Sequence, residues 1–281
     1  MKKVSIFAVL ASLSLSMTAQ LFWKVTGNGL ERESYILGTM HDAPVSMIDE
    51  ISGLNDAIQN CDLAIGEIDK NDQVPQIDMM ELMVPPDSTL DKLLLPEDYH
   101  IVEKVVNKRL EPKGVTMDQL LMFRPGFIRI LAMDTDLSAQ PDSDSEEMLF
   151  DIAILERAAA AGHPTMGLET ETEHFEWLVK APPLIDQARW LLSMCKNYDN
   201  QEETDDAYIN QDATVMFESR VTDEGYRDFF VNQRNCNWAE KLDKLMPEKS
   251  CLVCVGVNHL SGEKGLLQLL RDRDYTVEPV Q

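Results

Sequence analysis

Two Gly-x-x-His tetrapeptides, near opposite ends of the chain, carry its clearest chemistry. They run from Gly38 to His41 and from Gly256 to His259. Each follows a short apolar run and precedes a segment with helical spacing, and the glycine lets the backbone bend sharply before the imidazole. A single tetrapeptide of this kind occurs often by chance. Two of them in the same local context indicate a shared functional site.

Two glutamates occupy similar positions elsewhere in the chain. Glu67 and Glu169 each end a short apolar run. Ligands of parallel α/β sheets gather at the carboxyl ends of the strands, so we expect both to lie with His41 and His259. Two neutral imidazoles and two carboxylates suit a divalent cation such as Mn²⁺, Co²⁺ or Zn²⁺. A metal-bound water would then be the nucleophile of a hydrolysis, or a carboxylate outside the metal shell would act as general base.

The elements that must position these residues follow a repeated plan. Each unit reads as strand, Gly-x-x-His turn, helix and strand, which indicates a weak internal duplication. Asn28-Gly29 predicts a hairpin turn before the first unit. Strands joined by a crossing helix are expected to pair in parallel, with right-handed connections. The predicted strands are 21–27, 34–37, 62–67, 165–168, 251–255 and 275–277. The helices after the motifs are predicted from the spacing of Ile51, Leu54, Ala57 and Ile58, and of Leu266, Leu267, Leu269 and Leu270.

The middle of the chain reads as mostly helical. Residues 72–133 contain several proline breaks, 134–147 predict an acidic surface loop, and 151–161 predict a helix that ends at Gly162. Residues 171–245 predict several more helices. No low-complexity linker divides the chain. We therefore expect one mixed α/β domain over residues 21–281, with a central, mostly parallel sheet and a large helical insertion.

The first twenty residues have the pattern of a cleaved secretory signal. Lys2 and Lys3 precede an apolar run from Val4 to Leu15, and a small, polar exit ends at Gln20. The run is short for a membrane span, although an uncleaved anchor is the alternative. No later stretch is apolar enough to cross a bilayer. The sequence therefore predicts an exported protein, periplasmic or secreted.

The net charge of the chain limits the classes of partner that it is expected to bind. The formal net charge is -24, and removal of Lys2 and Lys3 with the signal would change it by two, to about -26. Nucleic acid and anionic lipid surfaces are poor partners for such a chain. The charge is compatible with metal ions and cationic ligands, and a solvated acidic surface explains most of it. We expect a peptide or small-molecule substrate.

Five cysteines leave at least one thiol unpaired. Export would permit disulfides, but the count is odd. Cys251 and Cys254 form a C-x-x-C pattern inside an apolar run. In a strand these positions face opposite sides of the sheet, which favours buried small hydrophobic residues over a metal or redox pair.

Several segments, taken in order and spacing, resemble a known family. They are Tyr35–His41, Asp62–Glu67, Gly162–Thr170, Arg234-Asn235 with Trp238, Val255–Leu260 and Leu267–Pro279. The chain resembles the TraB/GumN family from about residue 21 to its C-terminus. That family is related to the TIKI metalloproteases and, more distantly, to the erythromycin-esterase and ChaN-like proteins.

The resemblance implies roles for individual residues. His41 and His259 become the leading metal ligands, because TIKI proteins are described as metal-dependent peptidases that use such histidines with acidic partners. Glu67 and Glu169 match the acidic positions of the family. Arg234 matches a family arginine that would bind a substrate carboxylate or a developing oxyanion.

Three further positions are implied less directly. Asp151 and Arg124 fall on family-like positions. His174 departs from the family, which commonly has glutamine there. We expect His174 to be an exposed helical residue, with an additional pocket residue as the alternative.

The leading functional hypothesis is an extracytoplasmic metal-dependent hydrolase, with peptidase activity favoured. One alternative is a protein that binds haem, a metal or a peptide without turnover, and ChaN-like relatives suggest haem. Another alternative is a metal-free esterase in which a histidine is the general base, in the style of the erythromycin esterases. Survival of activity after exhaustive chelation would favour the last of these.

Overall fold

A six-stranded sheet forms the centre of the computed structural model, which describes residues 21–41, 43–69, 78–133, 149–198, 208 and 224–280. The strands are β1 (Phe22–Gly27), β2 (Ser34–Thr39), β3 (Leu63–Ile68), β4 (Thr165–Glu169), β5 (Cys251–Gly256) and β6 (Tyr275–Pro279). Their order across the sheet is β4-β3-β5-β2-β1-β6. Strands β4, β3, β5 and β2 pair in parallel with their neighbours in this order, whereas β1 pairs antiparallel with both β2 and β6. The predicted α/β class and mostly parallel sheet are confirmed.

The two strand–turn–helix–strand units interleave instead of lying side by side. We expected β2 to pair with β3, and β5 with β6. Both pairings are wrong. Strand β5 lies between β2 and β3, and β6 pairs with β1. The burial of the strands gives the reason. The first five residues of β5 are buried without alternation, which suits a central strand covered on both faces. In β6 buried and exposed residues alternate at first, and it forms an edge. The interleaving makes the strands of the two motifs direct neighbours.

Helices form in the regions where the sequence predicts them, but their first and last residues differ from the predicted ones. They are α1 (Leu54–Asn60), α2 (Leu90–Leu93), α3 (Pro96–Leu110), α4 (Met117–Leu120), α5 (Pro125–Met133), α6 (Phe150–Ala160), α7 (Glu171–Phe175), α8 (Leu184–Lys196), α9 (Glu224–Tyr226), α10 (Gln233–Leu245) and α11 (Leu266–Arg271). Short 3₁₀ turns cover Val45–Asp49, Met79–Leu82, Glu111–Lys113 and Val257–His259, and π-helical turns cover Glu176–Lys180 and Arg227–Asn232.

We expected each motif to open an α-helix directly, and neither does. After His41 the chain forms a 3₁₀ turn, and α1 begins only at Leu54, behind Gly53 with a φ of 79°. The second motif is itself a 3₁₀ turn, and α11 begins at Leu266. The apolar residues predicted for these helices are nevertheless buried, except that Leu269 is only partly buried.

Two main hydrophobic clusters divide the interior. The larger one surrounds the sheet and includes buried residues of α1, α6, α10 and α11. The second joins α2 to α5 with α8. Helices from the predicted helical insertion therefore share a hydrophobic cluster of their own. The boundary of the domain stays a prediction.

Four of the five cysteines are buried in this fold, and Cys236 is partly exposed. All five lie in described segments and are free thiols, and Cys251 and Cys254 are buried in β5. Burial raises the pKa of the Cys251 thiol to about 12, which makes it inert at neutral pH. The expectation of small buried hydrophobic residues is confirmed.

Two predicted segments, the signal sequence 1–20 and the acidic loop 134–147, lie outside the described residues. In the part of the chain that is described, no helix combines the length and apolarity needed to cross a bilayer.

Candidate functional site

The site lies along the edge where four parallel strands end. Glu67 is the penultimate residue of β3 and Glu169 the last residue of β4. The two Gly-x-x-His turns leave the adjacent strands β2 and β5, whose register pairs Thr39 with Gly256. The sheet thus brings the predicted side chains to one edge although they are far apart in sequence.

The buried guanidinium of Arg234 links the two glutamates. Arg234 projects from α10, and its Nε donates to both carboxylate oxygens of Glu169, at 2.9 and 3.1 Å. Its Nη2 donates to Glu67 Oε2 at 2.9 Å. The guanidinium lies 4.6 Å from the centre of the Trp238 ring, whose Nε1 donates to Glu169 Oε1 at 2.8 Å. Charge-assisted bonds and a cation–π contact therefore hold this cation in place.

The network lowers the pKa of both glutamates. Burial by itself would raise the pKa of Glu67, but His259, Arg234 and the Gly256 N–H together lower it well below its ordinary value. Burial also opposes ionisation of Glu169, yet a hydrogen bond from His174 and the charge of Arg234 lower its pKa. The pKa of Arg234 shifts upward. Burial would lower it, but the charges of Glu67 and Glu169 outweigh burial and raise it.

Position 256 requires glycine because the backbone there comes close to the carboxylate of Glu67. Its N–H donates to Glu67 Oε1 at 2.6 Å. A Cβ atom at position 256 would lie 3.1 Å from the same oxygen. The glycine of the second motif therefore lets the backbone reach the carboxylate.

His259 is a buried imidazole with polar neighbours on both ring nitrogens. Its Nδ1 lies 2.7 Å from Asn235 Oδ1. Its Nε2 lies 3.4 Å from Arg234 Nη1 and 3.9 Å from Glu67 Oε1. Burial, assisted by Arg234 and opposed by Glu67, lowers the pKa of His259 to about 4. The ring also packs on Trp238, with 4.4 Å between the ring centres.

His41 has different surroundings at the neighbouring strand end. Its Nδ1 lies 3.0 Å from Asp151 Oδ1, and its side chain is 44% exposed. The backbone oxygen of His41 accepts a hydrogen bond from the N–H of Phe150, at 3.2 Å. The first turn of α6 therefore holds this motif through both backbone and side chain.

The two motifs pack against each other through Gly38. A Cβ atom at position 38 would lie 2.6 Å from Leu260 Cδ1 and 3.2 Å from Val257 Cα. The carbonyl of Gly38 accepts a hydrogen bond from the buried hydroxyl of Tyr208 at 2.9 Å. Glycine at this position permits the close contact between the turns.

His174 and Asn235 both contact the network, which their positions in the sequence do not indicate. His174 was expected to be exposed, but its side chain is 21% exposed, and its Nδ1 lies 3.3 Å from Arg234 Nη2 and 3.5 Å from Glu169 Oε2. The helix start after β4 turns it toward the network, which local sequence does not reveal. The family-like Arg124 donates to the backbone oxygen of Glu81 at 3.0 Å.

A model of the TraB/PrgY/gumN family matches residues 21–279. The chain belongs to this family. No curated protein and no solved structure matches it. The match covers every segment on which the resemblance rested, and it includes all the residues of the site.

A metal site in this TraB/PrgY/gumN protein would need donors that converge on one ion. Among the described residues, no group of three or more His, Cys, Asp or Glu side chains is arranged to hold a metal. The guanidinium of Arg234 also lies where a cation would bridge Glu67 and Glu169, and it bonds to both. The residues as arranged therefore do not fit a metal shared by the predicted ligands, and metal binding by His41, His259, Glu67 and Glu169 stays a prediction.

Proposed function

We propose that this chain is a hydrolase in which His41, oriented by Asp151, takes a proton from the attacking water. The distance of 3.0 Å between His41 Nδ1 and Asp151 Oδ1 carries the proposal. An ionised carboxylate only accepts hydrogen bonds, so this contact places the proton of a neutral ring on Nδ1. The other ring nitrogen, Nε2, then has the lone pair of a general base.

The surroundings of the pair suit proton transfer. The His41 side chain is 44% exposed, whereas the Asp151 side chain is only 17% exposed. Asp151 lies in the first turn of α6, where the helix dipole stabilises an anion. The charge of Glu67 acts in the same direction as Asp151, because His41 follows His259, Arg234 and the Gly256 N–H among the groups that lower the pKa of Glu67 against the effect of burial. Both would stabilise the imidazolium that forms when His41 accepts a proton.

The bond to be cleaved is assigned by resemblance. Likeness to the TIKI proteins favours a peptide bond, and likeness to the erythromycin esterases favours an ester. Arg234 was expected to bind a substrate carboxylate or an oxyanion. Its Nε and Nη2 bond to the two glutamates, and its Nη1 contacts His259 and the Phe230 carbonyl. We therefore propose a supporting role for Arg234. Export, proposed from residues 1–20, would place the reaction outside the cytoplasm.

The test compares two histidines that each contact a carboxylate. His41→Gln should lower turnover of a peptide or ester substrate by about 10²- to 10⁴-fold, the usual contribution of general base catalysis. His100→Gln is the matched control, because His100 lies 3.2 Å from Glu103 Oε2 and is 75% exposed. Both variants should keep the circular dichroism spectrum of the parent chain.

Metal dependence is measured in the same preparations. Activity should survive exhaustive chelation, with no stoichiometric divalent metal found by elemental analysis. Activity that disappears on chelation and returns with Mn²⁺, Co²⁺ or Zn²⁺ would replace this proposal with the metal-activated mechanism. Full turnover in His41→Gln would contradict both.

A further inference from the structure

Asn235 is held in one orientation by the backbone around it. Its Nδ2 donates to the carbonyl of His259 at 3.0 Å and to the carbonyl of Lys264 at 2.8 Å. Both partners only accept hydrogen bonds, so the amide nitrogen must face them. The amide oxygen is thereby directed at the imidazole of His259, and Asn235 is fully buried.

The two neighbours of the His259 ring have fixed polarity. Asn235 Oδ1, 2.7 Å from Nδ1, can only accept, so Nδ1 must carry a proton. Arg234 Nη1, 3.4 Å from Nε2, can only donate, so Nε2 must present its lone pair. Two independent contacts therefore select the same neutral tautomer.

The remaining charges around the ring do not change this assignment. Glu67 Oε1, from β3, lies 3.9 Å from Nε2, and the Gly256 N–H already donates to that oxygen. Glu169, from β4, bonds to Arg234, and His174, from α7, contacts the same guanidinium.

We propose that Asn235 is a positioning residue that locks His259 in its Nδ1–H tautomer, so that Nε2 accepts a hydrogen bond from Arg234. His259 then steadies the guanidinium between Glu67 and Glu169 and takes no part in moving protons. The tautomer is independent of any reaction. Only the contrast with His41, which moves the proton in the proposed function, rests on that function.

The direct test is nuclear magnetic resonance of the full chain with ¹⁵N-labelled histidine at pH 7. Two-bond ¹H–¹⁵N correlations, assigned with His259→Gln, should show a protonated Nδ1 and an unprotonated Nε2 for His259. A protonated Nε2, or protons on both nitrogens, would overturn the proposal. The spectrum does not depend on His41, so loss of the hydrolase proposal would leave this result unchanged.

Two asparagines of α10 supply a matched pair of variants. Asn235→Leu removes the acceptor, and the slowly exchanging Nδ1–H resonance of His259 should disappear. Asn237→Leu changes an exposed residue of the same helix and should leave that resonance in place. Persistence of the resonance in folded Asn235→Leu would contradict the proposal. Should that variant fail to fold, the parent spectrum decides by itself.

Discussion

The two Gly-x-x-His turns have the same pattern and opposite surroundings. His41 is half exposed and contacts the carboxylate of Asp151, whereas His259 is buried and contacts the amide of Asn235. A carboxylate favours a protonated ring and a neutral amide does not. Burial near Arg234 further lowers the pKa of His259. The comparison shows that a motif positions an imidazole, while its partner and its burial determine the proton chemistry.

The largest expected effect is on the stability of the charged network beside the second motif. Arg234→Met would leave Glu67 and Glu169 as buried carboxylates without their cation, which typically costs about 3–5 kcal/mol of unfolding free energy. Urea unfolding at neutral pH measures this loss. Arg189→Met is the control, because Arg189 is 65% exposed and its ion pair with Asp186 is 3.6 Å long. A loss below about 1 kcal/mol in Arg234→Met would show that the network contributes little.

The next effect concerns the first motif. Asp151→Asn gives His41 a neutral amide partner like that of His259, and turnover should fall by about 10²-fold or more, since the imidazolium loses its counter-charge. Steady-state kinetics on the substrate identified for the parent chain measures the change. Asp118→Asn, in the first turn of α4, is the control and should leave turnover unaltered. Parental turnover in Asp151→Asn would mean that the His41–Asp151 contact has no part in catalysis.

A smaller effect is the dependence of stability on pH. His259 has an ordinary pKa of 6.5 and a folded pKa of about 4, so the unfolded chain binds its proton more readily in between. Its contribution to stability is complete above pH 6.5 and is lost as the pH falls toward 4. Denaturant unfolding at a series of pH values should show this slope, and His259→Gln should flatten it. His100→Gln should retain the slope, and an unchanged slope in His259→Gln would show that another group causes it.

The smallest effect concerns the contact between the motifs. Gly38→Ala would place a Cβ atom 2.6 Å from Leu260 Cδ1 and 3.2 Å from the backbone of Val257, so we expect a loss of about 1–3 kcal/mol. Thermal unfolding measures it. Gly225→Ala, at an exposed helical position, should be neutral or slightly stabilising. If Gly38→Ala were as stable as the parent chain, the turns would not be closely packed in solution.

Much of this site could be predicted from local patterns. An apolar run before Glu67, Glu169 or either motif indicates a strand that ends there, because a buried strand must leave the interior where polar residues begin. The structure places each of them at a strand end. The side chains that contact the two histidines were harder to predict, because Asp151 and Asn235 lie on helices that are distant from the motifs in sequence.

The sequence by itself determined the types of the elements, the glycines of the two turns and the family. These depend on spacing and on backbone freedom, which are local properties. The tertiary structure alone decided that β5 lies between β2 and β3, that Arg234 bridges the glutamates and that His174 joins them. Strand order and side-chain partners depend on which surfaces bury each other, and residues far apart in the chain contribute to that free energy together.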